Sequence, residues 1–206
     1  MCFHIRLSKE AVKIENRFNA NFEDPDSFIQ SEHINGFAHP RLPVITNEDQ
    51  KSIQLFNWGL IPFWAKDESI RKYTLNARIE SIRKKPAFRQ SVQKRCLVIV
   101  NGFYEWQWLD SRGKKKQKYL IQLPGEDIFC LAGLWSEWVE KESGEVIESF
   151  TIVTTEANEQ MSVIHNSKKR MPVILKKEEE SEWLKESSLT NFLTRDFSLE
   201  AIQTDN

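Results

Sequence analysis

Cysteine is scarce and odd in number: Cys2, Cys96 and Cys130 are the whole supply, with no CxxC pair and no Cys/His ligand spacing. A disulfide framework needs paired cysteines and a zinc site needs closely spaced ligands, so neither is indicated; no metal and no other cofactor is expected. Long apolar runs are missing too, none approaching the roughly 18 residues that a membrane span requires. The opening residues turn polar too soon for a secretory signal. A cytoplasmic location with reduced thiols and no membrane partner is therefore expected. Net charge is also nearly absent, −1 from 29 Lys/Arg and 30 Asp/Glu. Linkers, low-complexity tracts and internal repeats are not evident, and a single domain over 1–206 is expected.

The balance of charge conceals an uneven distribution. Between Arg71 and Lys118 there are 14 basic residues against 3 acidic ones, whereas from Lys176 onward 8 acids face 4 bases. A basic stretch of this kind is either a solvated surface or a means of neutralising phosphates.

Ser8 can cap a helix over 9–19 with Val12 and Phe18 facing inward, followed by a polar loop over 21–31. Short apolar or alternating runs at 43–46, 53–61, 96–100, 104–108, 119–123, 128–138, 150–154 and 171–175 read as strands. Asn101-Gly102, Pro124-Gly125 and Ser143-Gly144 mark turns between them. Helical pattern returns from Glu156 to about His165, with Thr154 or Thr155 as the cap, and again over 178–185. The last dozen residues are polar and are expected to fray. The pattern predicts a β-rich α+β domain.

Three residues could carry chemistry. Removal of Met1 would turn Cys2 into an N-terminal 1,2-aminothiol, in which an α-amine of pKa about 7.7–8.0 sits beside a thiol of pKa about 8.5. Such a pair condenses with an aldehyde to an imine, and the sulfur then closes a five-membered thiazolidine; a cysteine at position 2 can equally be incidental. Glu105 lies between aromatics in Asn101-Gly102-Phe103-Tyr104-Glu105-Trp106. It either points to solvent from a strand or is desolvated, which would raise its pKa and suit it to proton transfer. His165, at the expected end of a helix, is a general acid or base by its pKa, or a cation capping that helix. Around them, Trp58-Gly59-Leu60-Ile61-Pro62-Phe63-Trp64 sets aromatics about a turn, and Arg78, Arg83 and Arg89 lie nearby. Aromatics beside cations suit single-stranded nucleic acid, although any one Trp is more often core.

Taken together, Met1-Cys2, Trp58-Gly59-Leu60-Ile61-Pro62 with Trp64, Asn76-Ala77-Arg78-Ile79-Glu80, Gly102-Phe103-Tyr104-Glu105-Trp106, Ile152-Val153-Thr154-Thr155, and Ile164-His165 before Arg170-Met171-Pro172 resemble the SOS response-associated peptidase family. The likeness runs from Met1 to about Leu175, leaving 176–206 as a helical extension. It implies a curved, barrel-like sheet with a few flanking helices, and a basic channel for single-stranded DNA containing abasic sites, ss/ds junctions included. It also implies self-removal of Met1 and a covalent thiazolidine crosslink through Cys2. By the same resemblance Glu105 assists proton transfer, His165 helps open the sugar, and Asn35 is the active-site asparagine. Asn76, Arg78 and Arg170 fall at DNA-binding positions, with Phe63 and Trp64 near a strand-separating wedge. The family commonly begins Met-Cys-Gly-Arg; here Phe3-His4 replaces the last two, so a phosphate-binding Arg is absent and His4 or Arg6 is expected to stand in. A monomer that meets the replication machinery completes the expectation. The competing readings are an N-terminal-nucleophile hydrolase using Cys2 and a noncovalent reader of damaged single strands.

Overall fold

The computed structural model describes residues 2–185 and 187–205. Its strands are, in chain order, β1 (His4–Leu7), β2 (Asn21–Phe22), β3 (Ser31–Asn35), β4 (Arg41–Thr46), β5 (Ser52–Trp58), β6 (Asn76–Arg78), β7 (Arg95–Val100), β8 (Gly102–Trp108), β9 (Lys116–Gln122), β10 (Phe129–Val139), β11 (Val146–Glu156), β12 (Arg170–Pro172), β13 (Ile174–Leu175) and β14 (Glu200–Thr204). Three helices accompany them: α1 (Ala11–Phe18), α2 (Glu159–Ile164) and α3 (Lys177–Leu184). None is long and apolar enough to cross a membrane.

The long β-branched and aromatic runs of β7, β10 and β11 are buried along nearly their whole length, as strands enclosed by a barrel must be. Strands β11, β10, β7, β4 and β5 pair in turn, antiparallel, and a parallel β5–β11 contact at Asn57↔Ser149 and Trp58↔Phe150 closes the circuit. The second sheet is open, in the order β14-β9-β8-β1-β3. The α+β fold with a barrel-like sheet is thus the observed one. Of the seven tryptophans, Trp58, Trp135, Trp138 and Trp183 are buried, so Trp58 belongs to the core and not to a base-stacking surface.

Several element boundaries differ from the sequence expectation. Helix α1 starts after Glu10, not Ser8, and its inward residue is Ile14, while Val12 is 55% exposed and Phe18 only partly buried. Ser8 is engaged elsewhere: its N–H and hydroxyl bond the Asn101 side chain, which ties β1 to the β7–β8 turn. Helix α2 begins at Glu159 because β11 runs on through the β-branched Thr154 and Thr155; the cap is Asn158, whose Oδ1 accepts from Met161 N–H at 2.9 Å. The polar tail is not frayed over 200–204. It forms β14, in register with β9 from Glu200↔Gln122 to Thr204↔Lys118.

The segment after Leu175 is built into the core. Trp183 is fully buried, and its indole N–H reaches the carbonyls of Cys96 and Gly133 at 3.1 and 3.3 Å. Arg95, only 1% exposed, donates to the carbonyls of Trp183 and Ser187, so its charge is solvated by backbone oxygens instead of water.

Candidate active site

Strand β1 brings Cys2 to the centre of the molecule. His4 pairs with Tyr104 of β8 on one side and with Asn35 of β3 on the other, while Phe3 accepts a hydrogen bond from Gly36 N–H at 2.8 Å. Strand β6 lies parallel to β11, and this presents Asn76, whose Nδ2 donates to the Cys2 carbonyl at 2.8 Å. Asn76 Oδ1 is buried with no hydrogen-bond partner among the described residues, leaving an acceptor for an incoming donor.

Glu105 and His165 converge on the same place. Glu105 sits on β8, 4% exposed, and His165 closes α2 at 6% exposure, with Nδ1 3.8 Å from Glu105 Oε1. His165 Nδ1 donates to the Arg170 carbonyl at 2.7 Å, which fixes the Nδ1–H tautomer and leaves the ring's lone pair on Nε2. A cavity of about 270 Å³ opens here, lined by Phe3, His4, Glu105, Trp106, His165 and the Lys116–Lys168 side of the rim.

Burial dominates the electrostatics. It lifts the Glu105 carboxyl to about 7 and lowers His165 to about 4, so near neutrality Glu105 is split between its two forms while His165 is neutral. Burial, reinforced by the Glu105 charge, holds the Cys2 thiol far above the ordinary thiol range.

The remaining expected residues separate. Asn35 is exposed and turns its Oδ1 back to Phe37 N–H at 3.0 Å; it shapes the turn that lays Gly36 on the Trp58 ring and does not enter the cluster. Asn76, expected only at a DNA contact, is the asparagine that touches Cys2. Arg170 is 7% exposed and its guanidinium is committed to Glu80, at 2.7 and 3.0 Å, and to the Thr154 carbonyl at 2.8 Å. Its guanidinium is thus engaged within the protein, while its carbonyl accepts from His165 Nδ1. Partial burial pushes the Glu80 carboxyl up, but pairing with Arg170 outweighs this and keeps it below its usual value.

Arg78 is exposed two residues beyond Asn76, on the same side of β6, with Ala77 buried opposite. Phe63 and Trp64 are 62% and 47% exposed on a turn held by Ala65 N–H to the Pro62 carbonyl. His4 is lowered to about 4 by burial, then by His33 and Lys118, so at neutral pH it offers a ring and not a cation. Arg6 is occupied by Glu32 and Ser8. No cluster of three or more metal-ligating side chains occurs among the described residues.

Residues 1–204 match the family model described as SOS response associated peptidase (SRAP), well past the point where the short motifs end. Two Bacillus subtilis proteins are similar over 185 residues: "Abasic site processing protein YoaM", 44% identical over 89% of this chain and 79% of its own, and "Abasic site processing protein YoqW", 37% identical over 89% and 80%. A crystal structure of a Bacteroides thetaiotaomicron protein superposes with a TM-score of 0.92 at 37% identity, covering 100% of this chain and 93% of that one.

Proposed function

This chain belongs to the SOS response associated peptidase (SRAP) family, and from that premise we propose that it processes abasic sites in DNA by capturing them covalently on Cys2. The names of its relatives support the substrate. The observation that carries the chemistry is the meeting of Glu105 and His165 on a cavity also lined by Phe3 and His4, the residues that follow the buried Cys2, whose backbone Asn76 holds.

The reaction begins when Met1 is removed and the Cys2 nitrogen becomes an α-amine. Neutral amine adds to the aldehyde of the ring-opened abasic sugar, forming a C–N bond and a carbinolamine. Loss of the hydroxyl as water gives an imine. The sulfur then adds to the imine carbon, its proton passes to nitrogen, and the thiazolidine is complete with one water released overall. Both nucleophiles lie in one residue, which makes the second closure intramolecular.

Each neighbour has a task set by its environment. Near pH 7 the protonated Glu105 donates to the departing hydroxyl, and its carboxylate then takes the proton of a thiol too buried to ionise unaided. Neutral His165 offers Nε2 as acceptor to a sugar hydroxyl, which favours the open aldehyde. Asn76 Oδ1 accepts from an incoming hydroxyl or amine, and Arg78 meets the neighbouring phosphate. Phe63 and Trp64 serve as the wedge at a junction between single- and double-stranded DNA.

The test is incubation of Met-free protein with single-stranded DNA bearing one abasic site, followed by denaturing electrophoresis. Wild type is expected to give a retarded band, and Cys2→Ala and Cys2→Ser none. A band that persists in Cys2→Ala refutes capture at this residue; Cys2→Ser protein that has lost the band but still hydrolyses an amide would favour a nucleophile hydrolase.

A further inference from the structure

His165 is followed by a short loop, 166–169, that leads into β12. Its first residue makes two bonds that the chemistry above leaves unexplained. Asn166 Nδ2 donates to the Trp108 carbonyl at 2.9 Å, and Asn166 Oδ1 accepts from the Trp108 N–H at 3.0 Å. A side-chain amide offers donor and acceptor side by side, as a neighbouring strand would.

Strand β8 accounts for this arrangement. β1 covers one of its edges only from Gly102 to Tyr104. Further along, Leu109 N–H pairs with the Lys115 carbonyl on the β9 side at 2.9 Å, so Trp108, one residue earlier, turns its N–H and C=O to the opposite edge. Among the described residues no strand pairs with β8 there, and the Asn166 amide takes that place. Asn166 is itself exposed, a setting in which such an amide ordinarily serves only solvent.

The rest of the loop is closed around His165. The His165 carbonyl accepts from the N–H groups of Lys168 and Lys169 at 3.3 and 2.8 Å. Lys169 holds φ +50, a left-handed backbone that a non-glycine residue keeps only where its surroundings enforce it. Gln107 adds a second tie from β8, its Nε2 donating to the Val163 carbonyl in the last turn of α2 at 3.3 Å. The clamp therefore joins two short arms: Glu105 stands three residues before Trp108, and His165 one residue before Asn166.

We propose that Asn166 is a positioning residue for His165, holding the loop after α2 against β8 so that the imidazole stays beside Glu105 on the wall of the cavity. It touches no reacting atom and acts through the place of its neighbour. This rests on the reading of the site given above.

The test follows His165 itself. Nitrogen NMR of protein labelled in its histidines, with the His165 signals identified by their loss in His165→Gln, should show wild-type His165 in the Nδ1–H form and titrating at about 4. Burial is the main cause of that value, and the Arg170 and Lys168 cations beside the ring add to it. Asn166→Ala should release the loop, admit water to the ring, populate both tautomers and move the titration up towards the ordinary 6.5. Adduct formation with single-stranded abasic DNA should slow about tenfold or more, with the cooperative thermal transition retained. In wild type the Trp108 amide should exchange with solvent as slowly as its paired neighbours in β8, and fast exchange there would overturn the assignment. So would an unchanged titration in folded Asn166→Ala, whether or not the rate falls. The NMR arm needs no DNA, so the two readings fail separately. Wild-type protein that forms no adduct, with a titration that Asn166→Ala shifts, sinks covalent capture alone; adduct formed by Asn166→Ala at the wild-type rate with an unmoved titration sinks the positioning role alone.

Discussion

Glu105 is the residue on which the pH behaviour turns. Its folded pKa of about 7 against an ordinary 4.5 means that stability is fully present below 4.5 and is lost as pH rises through 7. Glu105→Gln should therefore be more stable than wild type at pH 8, by on the order of 2–3 kcal/mol in urea denaturation, while forming adduct far more slowly. Wild-type crosslinking should follow a bell in which the α-amine, needed neutral, sets the acidic limb and Glu105, needed as the acid, sets the alkaline limb, so Glu105→Gln should lose the alkaline fall. His165 has the opposite sign: its folded value of about 4 against 6.5 means stability is lost as pH falls through that interval. That Glu105 and His165 lie together was legible because each falls inside a short motif. Which asparagine touches Cys2 was not, since Asn35 and Asn76 look alike until β6 lies beside it. For Arg170 the sequence displays a guanidinium, whereas the fold engages it with Glu80 and also turns the carbonyl behind it to His165.

At the scale of elements, strands with continuous apolar runs were readable, and short ones of mixed polarity were not. β1, β3 and β6 are three to five residues long and mixed in polarity, and they form because neighbours pair with them. The tail shows the same dependence, since β14 is a polar edge strand whose order comes from β9. The turn after β5 has a stricter demand. Gly59 adopts φ +115, and a Cβ there would stand 2.9 Å from His39 Nδ1 and 3.0 Å from the Arg71 carbonyl. Gly59→Ala should cost about 3 kcal/mol in urea denaturation and disturb the presentation of Phe63 and Trp64.

For the molecule as a whole, the chain's end is structural. Trp183, Leu184, Leu189 and Phe192 are all buried. Trp183→Ala should destabilise by about 3–5 kcal/mol, and a chain stopped at Leu175 should fail to give a cooperative thermal transition. The acidic composition of 176–206 concealed this, because a few large apolar residues at wide spacing carry the contact. Charge is likewise divided by region: Lys116 and Lys168 line the cavity, Arg95 is buried against Trp183, and the acidic helix α3 packs on β7 and β10.

Intact-mass measurement of the adduct, after nuclease trimming of the DNA, bears most directly on the mechanism. The mass should equal that of the chain without Met1 plus the trimmed abasic fragment, less one water, with the modification mapped to residue 2 and stable without reductant. An adduct that survives only after borohydride treatment, or one that maps to a lysine or retains Met1, would contradict thiazolidine capture by the liberated aminothiol.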